Sequence, residues 1–198
     1  MEKRGTKQNK IIAVTGGIGS GKSAVLSVLK DLNYPVFSCD NFTKKAYKKR
    51  KVKTFLKGFC KECFFGVFKN KIDRKILSKK AFSNKENKEK FSSVITPVVY
   101  ELTLKKAKKI KGVKFVEVPL LFEFDKQGDF DGVIVVNRGL EDRQKAVEIR
   151  SKISKEDFMK IVQSQYDYKD VKNAFVIQND GDLTALKEKV KKTIEKII

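Results

Sequence analysis

Gly16-Gly17-Ile18-Gly19-Ser20-Gly21-Lys22-Ser23 fits G-x-x-x-x-G-K-[ST], the spacing of a phosphate-binding loop. Glycines at these places let backbone N–H groups converge on phosphate oxygens, and a helix opening inside the motif adds its partial positive charge. Lys22 is then placed to reach the β- and γ-phosphates of a nucleoside triphosphate, and Ser23 to offer its hydroxyl to Mg²⁺. Asp40, just past a second apolar run, reads in two ways. It orients an attacking hydroxyl, takes its proton or holds Mg²⁺ through water, or it caps a helix. Arg143 and Arg150 lie seven apart on one helical face, flanked by Arg138 and Lys152. They read as guanidinium groups that stabilise a transferring phosphoryl group, or as a solvated basic face. Glu117 reads as a second carboxylate near Mg²⁺ or as a solvent-facing edge residue.

Composition narrows the chemistry. The chain has no histidine, so proton transfer falls to Asp, Glu, Lys, Tyr or Cys. Cys60-x-x-Cys63 has no second pair and no histidine, so it closes no zinc site within this chain. A redox role lacks a thioredoxin-like context, which leaves small buried or half-buried thiols. The net charge is +21, mostly lysine and spread along the chain, as in Lys48-Lys49-Arg50-Lys51 and Lys191-Lys192. It reads as attraction for anionic partners or as a solvated surface, and no Arg/aromatic platform of the RNA-recognition kind accompanies it. No apolar run approaches the roughly 18 residues of a membrane span, and the first ten residues lack the apolar core of a secretory signal. The expectation is a cytoplasmic chain of one domain, of unstated oligomeric state, with small-molecule partners and neither membrane nor nucleic acid.

These groups need a scaffold, and the pattern supplies one. Ile11–Thr15 reads as a buried strand, and the helix after the loop ends near Leu32-Asn33. Residues 35–39, 113–118, 132–136 and 174–177 read as further strands, with 132–136 apolar throughout as a central parallel strand should be. Residues 41–111 show little strand signal and read as a Lys-rich helical insertion, with Phe55, Leu56, Phe59, Phe64, Phe65 and Phe68 as its apolar surface. Within it, Ser83-Asn84-Lys85-Glu86 has capping-box form, and Thr96-Pro97 reads as an N-cap with proline at the first helical position. Helices come next at Leu140–Arg150, at Ser154–Gln165 with Ser154 as cap, and after Asp182. Alternating strands and helices imply an α/β fold with a parallel sheet and right-handed crossovers.

The stretch Thr15–Ser23 followed by Asp40, with Val118-Pro119-Leu120-Leu121-Phe122-Glu123, resembles the dephospho-CoA kinase family. Asp73-Arg74 with Leu77, Ser164-Gln165 and Asn179-x-Gly181 resemble family positions in the family's order, so the resemblance runs from about Lys10 to the C-terminus. It implies a three-layer P-loop NTPase fold with an inserted helical substrate-binding region at about 41–111 and a helical lid at about 138–165. It also implies transfer of the ATP γ-phosphoryl to the ribose 3′-hydroxyl of dephospho-CoA, the last step of coenzyme A biosynthesis. By position, Gly16, Gly17, Ile18, Gly19, Ser20, Gly21, Lys22, Ser23 and Ala24 would hold ATP and Ser23 the Mg²⁺. Asp40 would be the base, Arg150 the lid arginine, Thr15 a support beneath the loop and Asn179 a neighbour of the adenine. Leu120, Leu121 and Glu123, with Asp40, would line the acceptor site.

The chain departs from the family pattern at several places. Ser38 and Cys39 replace the first two residues of Asp-Ala-Asp, and Thr96-Pro97 stands for His-Pro. Ala146 stands where the family has an arginine, Arg143 replaces a usual Gln, and Asn173-Ala174 replaces Ala-Asp. These changes leave the ATP site intact and bear on the acceptor and the lid. The alternatives are another nucleoside or nucleotide kinase, a nucleic-acid-associated ATP binder, or a relative that binds nucleotide without turnover.

Overall fold

A computed structural model describes residues 9–66, 71–168 and 171–198. The readings of residues 1–8 and of Phe68 lie outside the described residues. In chain order the elements are β1 (Ile11–Thr15), α1 (Lys22–Asp31), β2 (Val36–Ser38), α2 (Thr43–Ala46), α3 (Arg50–Phe59), β3 (Phe64–Phe65), β4 (Lys71–Ile72) and α4 (Arg74–Ala81). Then come α5 (Lys85–Ala107), β5 (Lys114–Glu117), β6 (Gly132–Asn137), α6 (Leu140–Ser151), α7 (Lys155–Gln163), β7 (Phe175–Gln178) and α8 (Leu183–Ile197). They form two compact units, one of the residues up to Ser38 with Lys106–Ile198, the other Cys39–Lys105.

In the first unit five strands form one sheet, ordered β2-β5-β1-β6-β7, with every neighbouring pair parallel. β1 sits in the middle, Ala13 facing Val116 on one side and Val133 on the other. All five of its residues are buried, which is why its sequence is an unbroken apolar run closed by Thr15. Alternate residues serve opposite faces. Ile12, Val14, Ile134 and Val136 pack in one cluster with Val25 and Leu29 of α1 and Leu186, Val190 and Ile194 of α8. Ile11, Ala13, Val133 and Val135 are buried on the other face. A parallel sheet covered on both sides is the three-layer α/β arrangement expected.

The helix ends reflect local chemistry. α1 closes on Asn33, whose φ of 62° is the left-handed value that asparagine tolerates at this place. Ser154 caps α7 by accepting from the Asp157 N–H at 3.1 Å, and Asp182 caps α8 by accepting from Ala185 N–H at 2.8 Å. The buried ammonium of Lys114 is tolerated because Asn9 Oδ1 and the Ile110 and Gly112 carbonyls accept its three protons.

The second unit is helical, but it differs from the sequence reading in three ways. It contains a small antiparallel pair, β3 with β4, joining Phe64 to Ile72. Two-residue strands carry no periodicity that a pattern can register. Asn84, not Ser83, caps α5, its Oδ1 accepting from the Asn87 N–H at 2.8 Å while Ser83 Oγ accepts from the Asn87 amide. Thr96-Pro97 does not begin a helix, because α5 runs unbroken through Pro97. A stripe at spacing four, Phe91, Ile95, Val99, Thr103 and Ala107, is buried along α5 from Phe91 to its end, on both sides of Pro97. Burial of that stripe outweighs the hydrogen bond that proline cannot donate.

Pro97 therefore costs stability where it sits. Pro97→Ala is expected to raise the unfolding free energy by about 1–3 kcal/mol, read from the urea midpoint. An unchanged midpoint would mean that α5 already bends around the proline without loss.

Candidate active site

The phosphate loop leaves the carboxyl end of β1, the middle strand, and closes on the first turn of α1. Its shape needs glycine at two points in particular. Gly16 has φ of 145° and Gly21 φ of 94°, and a Cβ at either would run into the Val136 carbonyl or the Asn179 amide. Four carbonyls of the loop are taken by side chains. Lys22 Nζ donates to Gly16 O at 2.7 Å and to Gly17 O at 3.0 Å. Arg143 Nε donates to Ile18 O at 2.8 Å, and Asn179 Nδ2 to Ser20 O at 2.9 Å. Ile18 N–H is held as well, donating to Gln165 Oε1 at 2.8 Å. The N–H groups of Gly19, Gly21, Lys22 and Ser23 carry no hydrogen bond among the described residues. The Ser20 hydroxyl is buried without a partner. Ala24 N–H closes the turn on Gly21 O at 3.0 Å. Free N–H donors beside clamped carbonyls make a cradle for an anion.

Charge is arranged on the same plan. Burial lowers the Lys22 ammonium to about 8. Glu117 opposes that shift most, Arg143 and Arg150 add to it, and Glu123 opposes it weakly. Lys22 is thus a partly desolvated cation whose charge a phosphate would restore. Ser23 is exposed at the start of α1. No group of three or more Cys, Asp or Glu able to hold a metal occurs among the described residues. A divalent cation here would rest on the Ser23 hydroxyl, the phosphates and water. That donor set suits Mg²⁺, which keeps its waters and takes few protein ligands.

The other expected residues divide. Thr15 is fully buried at the end of β1, and Asn179 is buried against the loop. Glu117 ends β5, beside Val14 of β1. Leu121 is fully buried, while Leu120 and Glu123 are exposed. Glu123 Oε1 accepts from Tyr166 N–H at 3.0 Å. Arg150 is exposed on α6, its Nε donating to Ser151 Oγ at 3.3 Å. Asp40 belongs to the helical unit, exposed in the 3-10 turn Cys39–Phe42 just after β2, and it caps no helix. In that unit Cys60 and Cys63 are buried, and burial pushes the Cys63 thiol up to about 12 while it donates to the Cys60 carbonyl. Arg143 is a departure from the family pattern, yet it is the arginine that reaches the loop. Tyr168 escapes a reading of the sequence, since a tyrosine in a polar stretch gives no pattern to notice.

The family model described as CoaE, dephospho-CoA kinase, matches residues 10–185. A dephospho-CoA kinase of Fusobacterium nucleatum is 34% identical over 94% of this chain and 98% of its own length. The crystal structure of TT1252 from Thermus thermophilus superposes with a TM-score of 0.78 at 30% identity, covering 97% of this chain and 100% of that one. Dephospho-CoA kinase from Campylobacter jejuni superposes at 0.66 and 27% identity, covering 95% and 97%.

Lys22 gives the site a measurable proton signature. Near pH 8 Lys22 is about half protonated, and a bound triphosphate raises it, so binding takes up as much as about half a proton. Triphosphate affinity falls as pH rises through that value. Calorimetry at pH 8 in two buffers of different ionisation enthalpy reads the uptake, which Lys22→Met abolishes. Equal apparent enthalpies in both buffers for the unaltered chain would contradict a depressed Lys22.

Proposed function

The chain belongs to the dephospho-CoA kinase family, and from that premise we infer that it transfers the γ-phosphoryl group of ATP to the ribose 3′-hydroxyl of dephospho-CoA, releasing CoA and ADP. The observation that carries this reading is the assembled phosphate cradle on β1 beside β5, whose chain continues directly into Val118–Glu123. One strand ends at the donor loop and its neighbour ends at the segment that the family resemblance gives to the acceptor.

In this reading the free N–H groups of Gly19, Gly21, Lys22 and Ser23 receive the phosphate oxygens, with Gly16, Gly17, Ile18 and Ala24 holding the loop's shape. Lys22 and Arg150 neutralise charge on the γ-phosphoryl group, and Asn179 lies on the adenine side. Leu120 and Glu123 face the acceptor, and Leu121, buried beneath, fixes that turn. Mg²⁺, held by the Ser23 hydroxyl, would neutralise developing phosphate charge when bound. Asp40 takes the proton of the 3′-hydroxyl as its oxygen bonds to the γ-phosphorus and the bond to the ADP oxygen breaks. Thr15 supports the loop from the end of β1. The helical unit Cys39–Lys105 holds 19 of the 45 Lys+Arg and 6 of the 24 Asp+Glu. That excess suits a region receiving an anionic acceptor, and α6 with α7 would serve as the lid. The use of ATP suits a reaction in the cytoplasm.

Initial rates of CoA formation with Mg²⁺, ATP and dephospho-CoA test the assignment. Asp40→Ala is expected to lower kcat by about 10²–10⁴ with little change in the KM for ATP. Unchanged turnover in that variant would remove Asp40 from the proton transfer. Failure of the unaltered chain to form CoA, with ATP still bound, would remove dephospho-CoA as the acceptor.

A further inference from the structure

We propose that Tyr168 is a positioning residue for phosphoryl transfer: with Gln165 and Tyr166 it forms a strap that holds the phosphate loop and the Pro119–Glu123 turn in one fixed geometry. The inference rests on the proposed kinase activity. The strap comes directly after α7, and its contacts divide between two places. On the loop side, Gln165 Oε1 accepts from Ile18 N–H at 2.8 Å. On the turn side, Tyr166 N–H donates to Glu123 Oε1 at 3.0 Å, and the Tyr166 ring stacks on Phe122 with centroids 4.7 Å apart and planes 20° off parallel. Tyr168 stands edge-on to both rings, 6.0 Å from Phe122 and 5.6 Å from Tyr166. Such a set of rings is rigid as well as apolar.

Tyr168 is the member that joins the two sides. It is 7% exposed, unlike its neighbour Tyr166 at 42%. Its Oη lies 3.5 Å from the Pro119 carbonyl oxygen. Burial pushes this phenol up to about 12. The Thr15 hydroxyl is near enough to pull it down, and Glu123 adds to the rise. The phenol therefore keeps its proton and is a neutral donor, with the Pro119 carbonyl as its acceptor. Thr15 Oγ1 is buried with no hydrogen bond of its own, and Thr15 is the residue before Gly16. The phenol thus stands where the end of β1, the turn after β5 and the exit of the lid meet.

Alignment of donor and acceptor is where such a strap acts. A misplacement of about 1 Å costs up to about 10²-fold in rate while leaving each substrate's own contacts in place. Loss of the Tyr168 hydroxyl should thus appear in kcat, not in affinity.

Tyr168→Phe keeps the ring and removes the hydroxyl. The test measures kcat, both KM values and the thermal midpoint for the unaltered chain and for Tyr168→Phe, with CoA as the detected product. The expected result is a fall in kcat of about tenfold for Tyr168→Phe, with KM for ATP and for dephospho-CoA within about twofold. A Tyr168→Phe kcat within about twofold of the unaltered chain overturns the proposal. So does a parallel loss of kcat, both affinities and thermal midpoint, which marks a purely structural tyrosine. An unaltered chain that forms no CoA removes the kinase activity and this inference with it, and is told apart by needing no variant.

Discussion

A phosphate loop works only if its N–H groups are held unpaired and converging, a costly arrangement in the absence of phosphate. This chain meets that constraint by binding the other side of the same peptides. Lys22, Arg143 and Asn179 take the carbonyls of Gly16, Gly17, Ile18 and Ser20. With the Ile18 and Ser20 oxygens fixed, the peptides that carry the Gly19 and Gly21 N–H groups cannot rotate, while those of Lys22 and Ser23 are set by the first turn of α1, where Gly21 O accepts from the Ala24 and Val25 N–H groups. Lys22 has two parts in this. It clamps two carbonyls of its own loop, and burial makes it a weakened cation that a phosphate must draw from those two oxygens.

The clamps come from distant parts of the chain. Arg143 is on α6, Asn179 lies just after β7, and Gln165, which holds the Ile18 N–H, lies just after α7. Parallel pairing explains why they meet. β1, β6 and β7 are neighbours running in one direction, so the segments leaving their carboxyl ends emerge on one rim. Asn179 N–H donates to the Asn137 carbonyl at 2.8 Å, extending the ladder by one bond beyond β7 and locking the clamp in register. Both α6, through Arg143, and the segment after α7, through Gln165, are thus tied to Ile18.

Much of this was legible in the sequence, and the reason is local physics. The five strands are short apolar runs, the loop is a fixed spacing of glycines, and Ser154 and Asp182 are caps in standard positions. What escaped reading depends on contacts across the chain. Pro97 looks like a helix start until the buried stripe from Phe91 to Ala107 shows that packing carries the helix through it. Ser83 and Asn84 are both good caps, and only the geometry of the turn selects Asn84. Arg143 and Arg150 share a face and look equivalent by spacing, but only Arg143 sits early enough on α6 to reach Ile18. Side chains such as Gln165 and Tyr168 take their roles from what lies opposite, and no spacing rule encodes that.

Side chains of this chain, without help from a ligand, hold the Gly16–Ser23 loop in its phosphate-binding shape. The most direct measurement is the displacement of the Gly16–Ser23 backbone between crystals of the free chain and crystals grown with a non-hydrolysable ATP analogue. The expected movement is less than about 1 Å, with the Arg143, Asn179 and Gln165 contacts kept and the four free N–H groups on phosphate oxygens. A loop that must release Ile18 or Ser20 from those contacts to admit the phosphates would contradict it.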